Sequence, residues 1–264
     1  MRFFGRGADK DMKAGRFQSA GVSLAYEVTG SGPPVLFVHG FASSIETNWK
    51  TPGILKAVAE GGFQAVAFDG RGHGQSDRPS AAGAYRPDAM ADDVENLIAQ
   101  LGLERPALVG YSMGARIVLR VLTTRPHLAR AAILGGVGDG VFGSSEAFGT
   151  RIAEALLAPD AGAITDKIAR RFRLFAESQG NDLRALAQCI REAMEPLDPS
   201  GLPTLSVPVL VLAGSDDDQI TDPQGLARRI PGARAEIIQN RNHMTIIGDA
   251  RFRQAIVSFL KSVG

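Results

Sequence analysis

With one cysteine, Cys189, in 264 residues, the chain cannot build an internal disulfide framework. It also lacks an excess of either charge. Its 29 Lys and Arg against 28 Asp and Glu leave a formal net charge of +1, so nothing electrostatic argues for nucleic acid, an anionic membrane or an acidic partner. No apolar run approaches the ~20 residues of a membrane span. The opening Met1-Arg-Phe-Phe-Gly-Arg-Gly-Ala-Asp-Lys10 holds no signal-peptide core. A cytoplasmic protein is therefore expected, with residues 1–15 as a frayed arm. Histidine is scarce too: only His39, His73, His127 and His243 are present. Any chemistry that needs an imidazole must choose among four.

What is present suits one α/β domain. Hydrophobic content of 44% and charged content of 22% are ordinary for a globular chain of this length. Strand and helix patterns alternate as far as about Gly138. Residues 16–19 and 22–28 flank Ala20-Gly21 and read as an edge hairpin. Helices are expected over 51–60, 87–101 and 112–122, each preceded by a strand.

Between residues 138 and 203 that alternation stops. Helices are expected over 145–157, 163–177 and 182–194 with no strand between them. Their apolar stripes (Phe148, Ile152, Leu156; Ile164, Ile168, Phe172, Phe175; Leu183, Leu186, Ile190, Met194) are most simply helix-packing faces. Arg151, Arg170, Arg171 and Arg173 read as a solvated face. Carboxylate binding by one of them stays open, because a guanidinium fork suits bidentate pairing.

Gly110-Tyr111-Ser112-Met113-Gly114 puts a serine between two glycines where an apolar strand gives way to a helix. A turn this sharp strains the serine backbone and aims its side chain off the sheet, toward the positive end of the helix. A serine there is often only an N-cap; it is also where a nucleophile would sit. A nucleophilic serine needs a base, and the base needs an orienting acid. His39 lies in a glycine turn after the strand 35–38, His73 in a glycine-rich loop, and His127 behind Pro126. His243 lies downstream of both the serine and the acids, between a strand and the last helix. Gly214-Ser-Asp216-Asp217-Asp218 ends a buried strand in three carboxylates. Counting from the glycine, Asp217 is the one expected to turn inward, with its neighbours facing water. A metal site is the rival use of three acids, but regularly spaced oxygen ligands around it are missing. Two backbone donors, the N–H groups of Phe41 and Met113, are placed to receive an oxyanion.

As a set, residues 35–41, 69–77, 110–114, 214–217 and His243 resemble the α/β-hydrolase superfamily, over residues 22–260. The resemblance implies a mostly parallel eight-stranded sheet flanked by helices. It implies a core of residues 1–137 and 204–264, with 138–203 as a small helical cap inserted after the sixth strand. It makes Ser112, Asp217 and His243 a triad, Phe41 and Met113 the oxyanion donors, and Phe148, Phe172, Phe175 and Met194 candidates for the pocket roof. No metal or organic cofactor is implied, and the partner is a small-molecule ester or related acyl compound. Within the superfamily, His39-Gly40-Phe41 with the serine motif is similar to small carboxylesterases and haloperoxidase-like perhydrolases. Ala42 stands where the perhydrolase-like members tend to have proline. Epoxide hydrolases and dehalogenases of this fold use an elbow aspartate, which this chain lacks. C–C, lactone or thioester hydrolysis, perhydrolysis, and a small-ligand receptor are the alternatives to ester hydrolysis.

Overall fold

The computed structural model describes residues 12–143 and 145–264. Strands β1 (Lys13–Ser19) and β2 (Val22–Thr29) form the edge hairpin. Their two-residue turn, Ala20 at φ +49 and Gly21 at φ +78, has the mirror-image twist that closes hairpins. The expected fraying of residues 1–11 lies outside the described residues, and Lys13, Ala14 and Gly15 are paired in β1. Then follow β3 (Pro34–Val38), β4 (Gln64–Phe68), β5 (Ala107–Tyr111), β6 (Ala131–Gly135), β7 (Val209–Gly214) and β8 (Arg234–Ile238). The eight strands lie in the order β1-β2-β4-β3-β5-β6-β7-β8. β2 runs antiparallel to both neighbours and every later pairing is parallel.

Helices cover both faces of this sheet, so its central strands are apolar throughout. Every residue of β5, β6 and β7 is buried. Alternation along β3 sends Leu36 and Val38 into one apolar cluster and Val35 and Phe37 into the other. Helices α1 (Ile54–Glu60), α2 (Pro87–Leu101) and α3 (Met113–Thr124) follow strands in turn. The helix expected over 51–60 starts only at Ile54: a π-helical turn, Glu46–Lys50, ends before Pro52, and Gly53 at φ +73 precedes α1.

Helices α4 (Glu146–Leu157), α5 (Lys167–Ser178) and α6 (Leu183–Ala193) lie between β6 and β7. Asp166 and Asp182 each cap a helix start by accepting from two backbone amides. Ile152, Leu186 and Ile190 join the same apolar cluster as Met113 and Leu119. One arginine departs from the solvated face expected of all four. Arg173 is buried, and its guanidinium donates to the carbonyls of Ala155, Leu156 and Ala158 and to Glu177. The last carbonyls of α4 have no partner within their own helix, and Arg173 supplies one. Arg151 pairs with Asp166, and Arg170 and Arg171 are exposed. A short helix that the sequence reading did not anticipate, α7 (Pro223–Arg228), precedes β8, and α8 (Ala250–Ser262) ends the fold.

The junction of β5 and α3 is where packing is tightest. A Cβ on Gly114 would lie 2.0 Å from the Val38 carbonyl oxygen, and one on Gly110 would lie 2.4 Å from the Gly114 oxygen. Only glycine lets α3 start this close to the ends of β3 and β5. Gly114→Ala is expected to lower stability by about 3 kcal/mol, at the upper end of overpacking costs. Gly248→Ala, where a Cβ would meet nothing within 4 Å, should stay within about 0.5 kcal/mol of wild type. Denaturant midpoints of the two variants check this.

Candidate active site

Ser112 links β5 to α3 with φ +52 and ψ −113, outside the regions open to residues with a side chain. Such a conformation costs about 1–3 kcal/mol and persists only where the surroundings enforce it. Here the Ser112 N–H donates to the Gly135 carbonyl at 2.8 Å and its carbonyl accepts from the Arg116 N–H at 3.1 Å. With both backbone groups held, the side chain stands off the carboxyl ends of the strands.

His243 Nε2 lies 2.9 Å from Ser112 Oγ, and His243 Nδ1 lies 2.8 Å from Asp217 Oδ2. An ionised carboxylate only accepts, so Nδ1 carries the proton and Nε2 is free to accept from the serine hydroxyl. The Asp217 side chain is fully buried; its other oxygen accepts from the Gln219 N–H at 3.1 Å. Asp216 and Asp218 are exposed. Tyr111 secures His243 from below: its hydroxyl donates to the His243 carbonyl, and its ring centroid lies 5.3 Å from the imidazole. Burial, with Asp217 adding to it, pushes the Tyr111 phenol well above its ordinary pKa, so it stays a neutral donor.

The second wall is the turn after β3. The Ser43 N–H closes it onto the Gly40 carbonyl at 3.2 Å, with Ala42 at φ +59. Gly40 donates its N–H to Asn48 Oδ1 at 2.9 Å, from the π-helical turn. Asp69, also buried, accepts from the Ile45 and Gln75 amides at 2.7 and 2.8 Å. The Ala42 carbonyl accepts from Asn181 Nδ2 at 2.8 Å, which ties this turn to the loop between α5 and α6. Phe41 is therefore fixed from both sides. Met113 opens α3, where amides lack intrahelical partners. Asn48, Asp69, Tyr111 and Asn181 were not singled out from the sequence. Their partners are 6 to 139 residues away, and no local pattern signals such a bond.

Two chambers meet at Ser112, His243, Phe41 and Phe172. The larger, about 300 Å³, also reaches Met113, Phe148 and Met194. The smaller, about 110 Å³, is bounded by Phe175, Tyr111 and Ile247. All four aromatic and methionine candidates from the helical segment thus border the space above the serine. The larger volume is at the lower end for small-molecule sites. Among the described residues, no group of three or more His, Cys, Asp or Glu is arranged to hold a metal ion.

His127 is exposed, whereas His39 and His73 are buried side by side behind Phe41, ring centroids 5.1 Å apart. His39 Nε2 accepts from the Gly70 N–H at 2.9 Å and Nδ1 lies 2.8 Å from the Gly40 carbonyl, a pattern that requires the neutral ring. Burial lowers the pKa of His39, and that of His73 to about 3. Unfolding lets both rise to about 6.5. The unfolded chain therefore binds more protons below that value, and stability is lost as pH falls from about 6.5 toward about 3. Each ring contributes a slope of up to about 1.4 kcal/mol per pH unit. Chemical denaturation at stepped pH should show this loss, with a shallower slope in His73→Gln.

Residues 33–180 match the family described as alpha/beta hydrolase fold. Non-heme chloroperoxidase CPO-A1 of Kitasatospora aureofaciens is 30% identical over 274 residues, spanning 91% of this chain and 96% of that one. An epoxide hydrolase of Caballeronia sordidicola is 35% identical over 131 residues, 50% of this chain but only 36% of that protein. Among solved structures, an esterase from Exiguobacterium antarcticum superposes with a TM-score of 0.78 at 23% identity, covering 93% of this chain and 98% of that one. A thermophilic esterase from Thermogutta terrifontis gives 0.76 at 24% identity, covering 95% and 99%. No helix among the described residues is long and apolar enough to cross a membrane. By its sheet order and by these matches, the chain belongs to the alpha/beta hydrolase family.

Proposed function

We propose that the protein is a serine hydrolase that cleaves a carboxylic ester or related acyl bond of a small molecule through an acyl-enzyme on Ser112. The observation that carries this reading is the unbroken hydrogen-bond chain from Ser112 Oγ through His243 to buried Asp217. In this scheme His243 Nε2 takes the hydroxyl proton as Oγ attacks the carbonyl carbon. The oxyanion forms between the N–H groups of Phe41 and Met113, and Asp217 stabilises the imidazolium. The imidazolium then gives its proton to the leaving alcohol. Water repeats the sequence on the acyl-enzyme and restores Ser112. Residues 138–203 act as a cap: Phe148, Phe172, Phe175 and Met194 cover the reacting carbonyl and limit access of water.

Bond chemistry separates this reading from the names of some relatives. Opening an epoxide with a serine would leave an alkyl ether, which water does not cleave under mild conditions, whereas a carboxylate nucleophile would leave a hydrolysable ester. Ser112 therefore argues for acyl transfer. Perhydrolysis is the second reading, favoured by the chloroperoxidase that matches 91% of the chain. There hydrogen peroxide would replace water on the acyl-enzyme, releasing a peracid and free Ser112. Ala42 within the oxyanion turn argues against it as the main activity. Ser112→Ala should reduce ester hydrolysis by about 10⁴-fold or more, because triad members act as a unit. Asp217→Asn should cost about 10⁴-fold through the wrong imidazole tautomer. Asp218→Asn, on an exposed side chain, should leave kcat near wild type. Steady-state kinetics on a small activated ester reads all three; retained activity in Ser112→Ala would overturn the mechanism.

A further inference from the structure

Arg116 lies one helical turn beyond Ser112 on α3 and lines the larger chamber. Its guanidinium donates to two neutral acceptors, the Glu195 carbonyl at 2.8 Å and the Val141 carbonyl at 3.4 Å. Nε is buried with no hydrogen-bond partner. Among the described residues no carboxylate lies within ion-pair distance of it, and no Asp or Glu lines the chamber. Arg116 is half-buried, as is Arg130, which has no carboxylate partner among the described residues either but lies outside the chamber; the two fully buried arginines differ. Arg71 pairs with Asp93 at 2.5 Å, and Arg173 with Glu177 at 2.8 Å. A charge taken out of water without a counter-charge is costly. Burial draws the Arg116 pKa down to about 10, which still leaves it cationic at neutral pH. Two carbonyls occupy two of its five N–H donors. The remainder, and the whole positive charge, have no protein partner.

We propose that Arg116 is an anion site for substrate: the larger chamber takes an arm that ends in a carboxylate, and the smaller takes a compact neutral arm. This rests on the reading of Ser112 as the nucleophile. One guanidinium balances one carboxylate, and its planar fork matches carboxylate oxygens in a way a neutral amide cannot. The smaller chamber, about 110 Å³, has the volume of roughly four waters and suits a methyl or acetyl group. A chamber of about 300 Å³ accommodates a short diacid chain. Its remaining polar lining, Ser145, Gln219 and Thr221, carries no charge that would repel the anion.

The test compares monomethyl glutarate with its neutral isostere, methyl glutaramate, and 4-acetoxybutyrate with its carboxamide, so that either arm can bear the charge. In wild type, at least one carboxylate ester should exceed its carboxamide in kcat/KM by tenfold or more. Arg116→Gln should cut that ratio by at least tenfold, and Arg116→Lys should restore part of it. Glutarate itself should inhibit wild type competitively, and calorimetry should detect its binding with no turnover involved. Ratios near one in wild type, or an unchanged ratio in Arg116→Gln, would overturn the anion site while leaving the hydrolase reading intact. Should Arg116→Gln not fold, failure of millimolar glutarate to bind wild type would overturn it instead. If all four esters are inert while glutarate binds, the anion site stands and the hydrolase reading fails.

Discussion

The close approach of α3 to the ends of β3 and β5 is the constraint on which the remaining site geometry depends. With hydrogen in place of Cβ at Gly110 and Gly114, the helix begins almost in contact with the Val38 and His39 carbonyls. That leaves the chain one residue in which to reverse direction, and Ser112 takes a backbone conformation that residues with side chains avoid. The strain lifts the hydroxyl clear of the sheet and brings the start of α3 beneath it. Neighbouring strands then supply what faces it: β3 leads into the turn with Phe41, β7 into Asp217, and β8 into His243. Parallel strands deliver all of these from the same edge of the sheet, as expected of ligand sites in open α/β folds.

A second level of organisation holds those loops still. Asp69, His39, Asn48 and Tyr111 are buried, and each bonds to backbone beyond its own turn or element. Neutral His39 accepts from Gly70, and burial, which lowers its pKa, favours that neutral form. Bonds between buried groups placed this way form in one arrangement only, so they fix positions more than they add net stability. Arg116 differs, since it lines the chamber at Ser112 and its charge meets no carboxylate among the described residues.

Local chemistry made much of this legible in the sequence. Continuous apolar runs marked β5 and β7, and Ala20-Gly21 marked the hairpin turn. Ser112, Asp217 and His243 could be named because the motif, the chain order and the scarcity of histidine each narrowed the choice. Their convergence within 2.9 Å is a property of the fold alone. Interactions across long sequence separations were not legible. The three-carbonyl cap made by Arg173 depends on where α4 ends in space, and Asn181 bonds to Ala42 across 139 residues. The π-helical turn before α1 was missed because Pro52 and Gly53 shift the helix start without disturbing the apolar spacing.

The nucleophilic role of Ser112 is tested most directly by covalent capture. A fluorophosphonate would lose fluoride to attack by Ser112 Oγ and leave a phosphonylated serine. Intact-mass measurement followed by peptide mapping should find one adduct per chain, on the peptide containing Ser112. An unmodified protein, or an adduct carried by a different residue, would contradict a serine hydrolase built on this elbow.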